Sequence, residues 1–315
     1  MALFEGLDGN GFDRIPMPPW QIVQVGGGCL MYLHRGDKLV VKSQNNNIAT
    51  VKEVTDKGQP PFMPREFFIK GNSPGNTFID ARDPKSSVLV ARLEVAVKDT
   101  LTLKIAFHFV EDKAGDKTNR QPDIVDDLID ELNKIYVNQT QIQFEKTRAV
   151  PVKVNRNLGD VVRQVEAGKD LSEARRKMEN RFRGLKPEII KVGEELVESR
   201  PNSKREWSEI VKQGDPTADF NVFFVPWVQP KDRNELPNLS LTIGNNCVIE
   251  DDGPQPEVTL PHEVGIFLGC PITYDPRNKR LLMFSNPGSF TPRSDNLIPK
   301  SCANTMYDTL RKLKP

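Results

Sequence analysis

Read for its alternation of apolar and polar side chains, the chain changes character twice. From Trp20 to Val97 the apolar positions recur at period two in short runs, at 22–25, 38–42, 48–51, 66–70, 76–81 and 91–97. These runs are rich in β-branched and aromatic residues. Gly, Pro and Asn clusters such as Gly26-Gly27-Gly28 and Asn45-Asn46-Asn47 separate them. That pattern predicts an antiparallel β-sandwich, with turns every 8–12 residues or so. No segment here carries the three- and four-residue spacing of an amphipathic helix.

The remaining two thirds mix both periods. Positions 101–110 alternate as a strand, and 111–121 are polar. Pro122 then opens a helix, with Asp123, Asp126 and Asp127 in its first turns, where the helix dipole favours negative charge. Ile124, Leu128, Ile129, Leu132 and Ile135 give that helix one apolar face. Strands are expected at 142–145, with an edge at 150–152, and at 220–228, 239–244 and 245–250. A second helix starts near Val258 and a last one after Pro299. Residues 156–213 are rich in interspersed charge and read as a helical insertion broken at 184–187. It serves either as a basic docking surface or as solvated helix.

Composition narrows the classes. The 315 residues favour two domains, and 37% hydrophobic with 28% charged residues suits a globular protein. A net charge of +1 gives no electrostatic reason to expect nucleic acid. The 25 prolines favour ordered loops and edge strands over a helical bundle. No run of about 18 apolar residues suggests a membrane span. The opening MALFEGLDGNGFDR lacks the apolar core of a signal peptide. Synthesis in the cytoplasm is expected, with any export by a route that needs no cleaved signal. Cys29, Cys247, Cys270 and Cys302 form no CxxC pair, so a thiolate metal cluster is not expected. Buried free thiols are the favoured reading, with one or two disulfides left open.

Residues 18–98 resemble a bacterial immunoglobulin-like (group 2) domain, through the Ser43–Val51 stretch and through Gly75, Thr77, Ile79 and Ala81. That resemblance implies a spacer or adhesive module after an N-terminal extension, residues 1–17. In the rest of the chain the informative stretch is 260–272, followed by Leu281-Leu282-Met283-Phe284-Ser285. His262, Glu263 and Gly269 match HExxHxxGxxH, and Met283 falls where a methionine turn follows it. Residues 99–315 thus resemble the metzincin zinc metallopeptidases. The fold class expected is an all-β immunoglobulin-like sandwich followed by an α+β metzincin-like domain.

The resemblance implies zinc, with His262 as a ligand, Glu263 as general base, Gly269 as the helix-ending glycine and Met283 beneath the metal. The second and third ligand positions are Ile266 and Ile272, which offer no lone pair. His34 and His108 are the remaining histidines. Cys270, Asp251, Asp252 and Asp275 lie close enough in sequence to be weighed as substitutes, Cys270 first. As written, no cofactor is expected. The favoured function is a catalytically impaired pseudo-peptidase whose cleft binds peptide or protein, with an extended peptide laid along 240–243. The alternative is an active zinc endopeptidase with non-standard ligands, an exported bacterial effector or toxin.

Overall fold

A computed structural model describes residues 2–36, 38–55, 60, 63–155, 210–226, 240–251, 256–273, 275–284 and 295–314. The chain divides into two compact units. The first comprises Met1–Thr102, Asn133–Gln143 and Asp295–Pro315, and the second Leu103–Leu132 and Phe144–Ser294.

The first unit holds two sheets. One contains β1 (Leu3–Glu5), β4 (Gly28–His34), β7 (Arg65–Gly71) and β6 (Ala49–Glu53), in the order β1-β4-β7-β6 and antiparallel throughout. The other contains β2 (Phe12–Asp13), β3 (Trp20–Gln24), β9 (Leu89–Lys98), β8 (Gly75–Arg82) and β5 (Val40–Ser43), in the order β2-β3-β9-β8-β5. Alternation decides what each strand buries. On β7, Phe67 and Ile69 are buried while Phe68 between them is exposed. They join Phe4, Met31, Leu33, Ile79, Leu93 and Val95 in one apolar core. Gly71 is a close approach, since a Cβ there would lie 2.5 Å from the Gln24 carbonyl oxygen.

The expected fold class is corrected here. The chain is mainly β, with three sheets and few helices among the described residues. In the second sheet β3 pairs β9 in parallel, Trp20 opposite Glu94 through Gln24 opposite Lys98. This mixed sheet is not a plainly immunoglobulin-like sandwich. Periodicity reports which side chains a strand buries and carries no record of the direction in which it pairs, so this departure was hidden from the sequence.

The second unit is built on a mixed five-stranded sheet. It contains β10 (Leu101–Glu111), β11 (Ile142–Lys153), β12 (Phe220–Val225), β13 (Ser240–Ile243) and β14 (Asn246–Glu250), in the order β11-β10-β12-β14-β13. The pairs β10/β12 and β12/β14 are parallel, and β13 runs antiparallel to β14 at the edge. A parallel strand covered on both faces should be continuously apolar, and every residue of β12 is buried. β11 is one twelve-residue strand rather than two pieces. Most of the expected insertion, and the end of the run at 220–228, lie outside the described residues.

Helix α1 (Val125–Thr140) follows a single 3-10 turn, Pro122–Ile124, and buries Val125, Leu128, Leu132 and Tyr136. Helix α2 (Pro256–Phe267) carries the HE pair, and helix α3 (Lys300–Leu313) closes the chain. Within the first unit, α3 is fastened to β9. Lys98 Nζ donates to Asn304 Oδ1 at 2.7 Å and lies 4.3 Å from the Tyr307 ring centroid, and Lys300 Nζ meets Glu94 Oε2 at 2.6 Å.

Asp80 of β8 is a buried carboxylate in this unit. Arg92 Nε donates to it at 2.7 Å, Arg82 Nη2 at 2.8 Å and Gln44 Nε2 at 3.0 Å. Burial pushes its carboxyl upward, but the hydrogen bonds from Arg92, Gln44 and Arg82 outweigh it and hold the group well below the usual carboxylate range. A depressed folded pKa stabilises the fold above the unfolded value of about 3.9, and that contribution is lost as pH falls below it. Asp80→Ala is expected to destabilise the protein by about 2 kcal/mol at pH 7 in urea unfolding, with the difference from wild type shrinking below about pH 4.

Candidate functional site

The HE pair sits in the middle of α2, where both side chains are buried, His262 at 8% and Glu263 at 4% exposure. The two carboxylate oxygens of Glu263 are each met by a hydroxyl of β13. Ser240 Oγ donates to Oε1 at 2.5 Å and Thr242 Oγ1 to Oε2 at 2.5 Å. Ser240 and Thr242 are two apart on one strand, so their hydroxyls project to the same face and span one carboxylate. Across the ladder Thr242 opposes Cys247. Burial raises the Cys247 thiol well above its ordinary value, the Glu263 charge raises it further, and a hydrogen bond with Thr242 acts the other way. Cys247 is therefore an inert thiol.

His262 Nδ1 lies 3.2 Å from the carbonyl oxygen of Leu282. A carbonyl only accepts, so in the neutral ring Nδ1 carries the proton and Nε2 the lone pair. Leu282 and Met283 are buried in the loop after the helix, and Thr273 N donates to the Met283 carbonyl at 2.9 Å. The structure thus places the 281–284 loop against His262. Gly269 ends α2 with φ of 82°. Its N–H bonds the Ile266 carbonyl and the Cys270 N–H bonds the Gly265 carbonyl, both at 2.9 Å. This is the paired Schellman closure of a helix on a left-handed residue, which glycine adopts without a Cβ clash.

The donors around His262 do not fit a catalytic zinc, which needs three protein ligands and an open position. Ile266 lies one helical turn after His262 and Ile272 lies past the glycine, and both are half-buried. Cys270 is corrected as a substitute ligand, because its sulfur is already held in a disulfide, while Cys29 and Cys247 are free. The expectation of free thiols fails for Cys270. Asp275 caps a 3-10 turn and binds Arg277 at 2.5–3.0 Å. Asp251 accepts from the Thr118 hydroxyl at 2.5 Å and from Asn119 N at 2.6 Å. Asp252 lies outside the described residues. His34 belongs to the first unit, where it pairs with Glu5 at 2.7 Å. His108 is on β10 and pairs with Asn221 at 2.9 Å. Among the described residues no group of three His, Cys, Asp or Glu side chains is placed to hold a metal ion.

Sequence reasoning missed Ser240 and Thr242 as partners of the glutamate. The available signal was a pair of hydroxyl residues at period two in an expected strand, and nothing in the sequence placed that strand beside the helix. Removing both leaves a buried carboxylate with two donors fewer. Ser240→Ala with Thr242→Ala is therefore expected to cost about 3 kcal/mol or more. Adding Glu263→Gln should restore part of that loss, because an uncharged amide is cheaper to bury. Urea unfolding of the double and triple variants reads the difference.

No protein-family model matches the chain, and no curated protein matches it. Among solved structures, a chaperone-substrate complex is similar over 78% of this chain and 38% of that one, at 10% identity and a TM-score of 0.33. Domains 4 and 5 of the S-layer protein SbsC are similar over 24% of this chain and 45% of that one, at 17% identity and a TM-score of 0.20. A structure of SbsC domains 1–6 is similar over 25% of this chain and 12% of that one, at 16% identity and a TM-score of 0.20. The chain spans less than half the length of each of these relatives.

Proposed function

We propose that the chain is a non-hydrolytic relative of the zinc metallopeptidases, in which α2 and the neighbouring edge strand serve to bind an extended peptide. The observation that carries this reading is the state of Glu263. Hydrolysis through a metal-bound water needs a carboxylate free to take the water's proton. Here both oxygens accept hydroxyls of β13, and the positions that would complete a ligand set are Ile266 and Ile272. Without a metal the pKa of water stays near 15.7 rather than about 7, and a lone carboxylate is a poor peptide hydrolase. Strand β13 stands at the edge of its sheet among the described residues. An edge strand offers unpaired backbone groups, which extended peptides complete by strand addition. The same hydroxyl clamp fixes β13 against α2 and gives an incoming strand a fixed template.

The reading separates cleanly from an active zinc enzyme. The purified protein is expected to take up no stoichiometric zinc, measured by elemental analysis with and without reductant. Bound zinc that disappears in His262→Ala would overturn the reading. Peptides selected from an extended-peptide library are expected to slow amide exchange at 240–243. Protection of other segments, with 240–243 unchanged, counts against strand addition.

A further inference from the structure

His108 sits within β10, opposite Phe223 of β12 in a parallel pair, and is fully buried. Its ring stacks on that of Phe223, with centroids 4.5 Å apart and planes 18° from parallel. On one side of the ring, Nε2 lies 2.9 Å from Asn221 Oδ1. The orientation of the Asn221 amide is set independently. The same Oδ1 accepts the backbone N–H of Asp215 at 2.7 Å, while Nδ2 donates to the Asp215 carbonyl at 3.4 Å. An amide oxygen only accepts, so Nε2 carries the ring proton and Nδ1 is the unprotonated nitrogen. That Nδ1 is buried and has no hydrogen-bond partner.

Two charged groups act on the ring through their fields: Arg148 of β11 and Asp215 of the loop before β12. They pair with each other at 3.5 Å. The Asp215 carboxylate also accepts from the backbone and hydroxyl of Thr217, at 2.9 and 2.6 Å. Its geometry is therefore committed and offers nothing to Nδ1.

We propose that His108 is an acid-sensitive switch inside the second unit: a proton taken up at Nδ1 turns the neutral ring into a buried cation with an unmatched N–H, and the packing over that face of the sheet opens to bring it to water. The proton comes from solvent and no other bond changes. Because the side chain stands on a face of the sheet, opposite Phe223 in the middle of the β10/β12 ladder rather than at a frayed end, it reaches water only when the cover of that face is displaced. Burial is the largest influence on the ring and holds its pKa below the ordinary imidazole value. The Asn221 bond opposes that, Arg148 adds to it, and Asp215 opposes it. With the folded value below the unfolded one, stability is full above about pH 6.5 and declines as pH falls beneath it.

The test is urea unfolding of the wild type and His108→Gln between pH 8 and 5. The glutamine amide keeps a donor for Asn221 and does not titrate. Below about pH 6.5 the wild-type folding constant should fall up to tenfold per pH unit more steeply than the variant's, the signature of one proton. Parallel profiles would overturn the proposal. Should the variant fail to fold, ring NMR of the wild type decides the matter. A neutral Nε2–H ring that does not titrate near pH 6.5 supports the proposal, and a ring titrating at an ordinary imidazole value refutes it.

Discussion

The second unit depends on one constraint: β12 is buried along its whole length, with a parallel neighbour on each side. Water cannot reach it, so any polar group there needs an internal partner or costs about 1–3 kcal/mol. Asn221 is the one polar side chain of that strand, and its amide is answered by Asp215 and His108. The same rule operates at the far edge of the sheet, where β13 answers the buried Glu263 with two hydroxyls. Both clusters join elements distant in sequence. Each acts as a register mark, since sliding a strand by one residue would turn its polar group to the opposite face.

How much of this was legible follows from the range of each interaction. Most strands of the first unit were visible because alternation is local. β4 was not, because Leu30 and Tyr32 on its outer face are as apolar as Met31 and Leu33 on its inner one, which erases the period. The parallel pairing of β3 with β9 links residues more than seventy apart, and no local pattern encodes it. In the candidate site, the helix and its end at Gly269 were legible because a helix-ending glycine is a short-range signal, whereas His262 and Glu263 were singled out only by resemblance to a motif. Ser240 and Thr242 lie 23 and 21 residues before Glu263, and only the fold brings them to it. The state of Cys270 was hidden for the same reason, because cysteine spacing alone does not determine pairing.

Glu263 shows how one residue type suits opposite tasks. A glutamate kept as a general base must be reachable and only loosely held, so that it can accept and release a proton. A glutamate clamped by two short hydroxyl bonds holds two elements together instead. The geometry of α2 and β13 is that of the second kind.

The fastening of α3 to β9 bears on how the chain is made. Residues 295–315 belong to the first unit, yet they follow the whole of the second in the chain. Lys98 and Glu94 therefore wait for Asn304, Tyr307 and Lys300 until more than two hundred further residues have emerged. The two sheets of the first unit can collapse early around their own core, but the unit's closure is an event of high sequence separation, and such contacts form slowly. During synthesis the unit that starts first is finished last. For that interval the face of β9 that α3 covers is open to solvent and to whatever meets it.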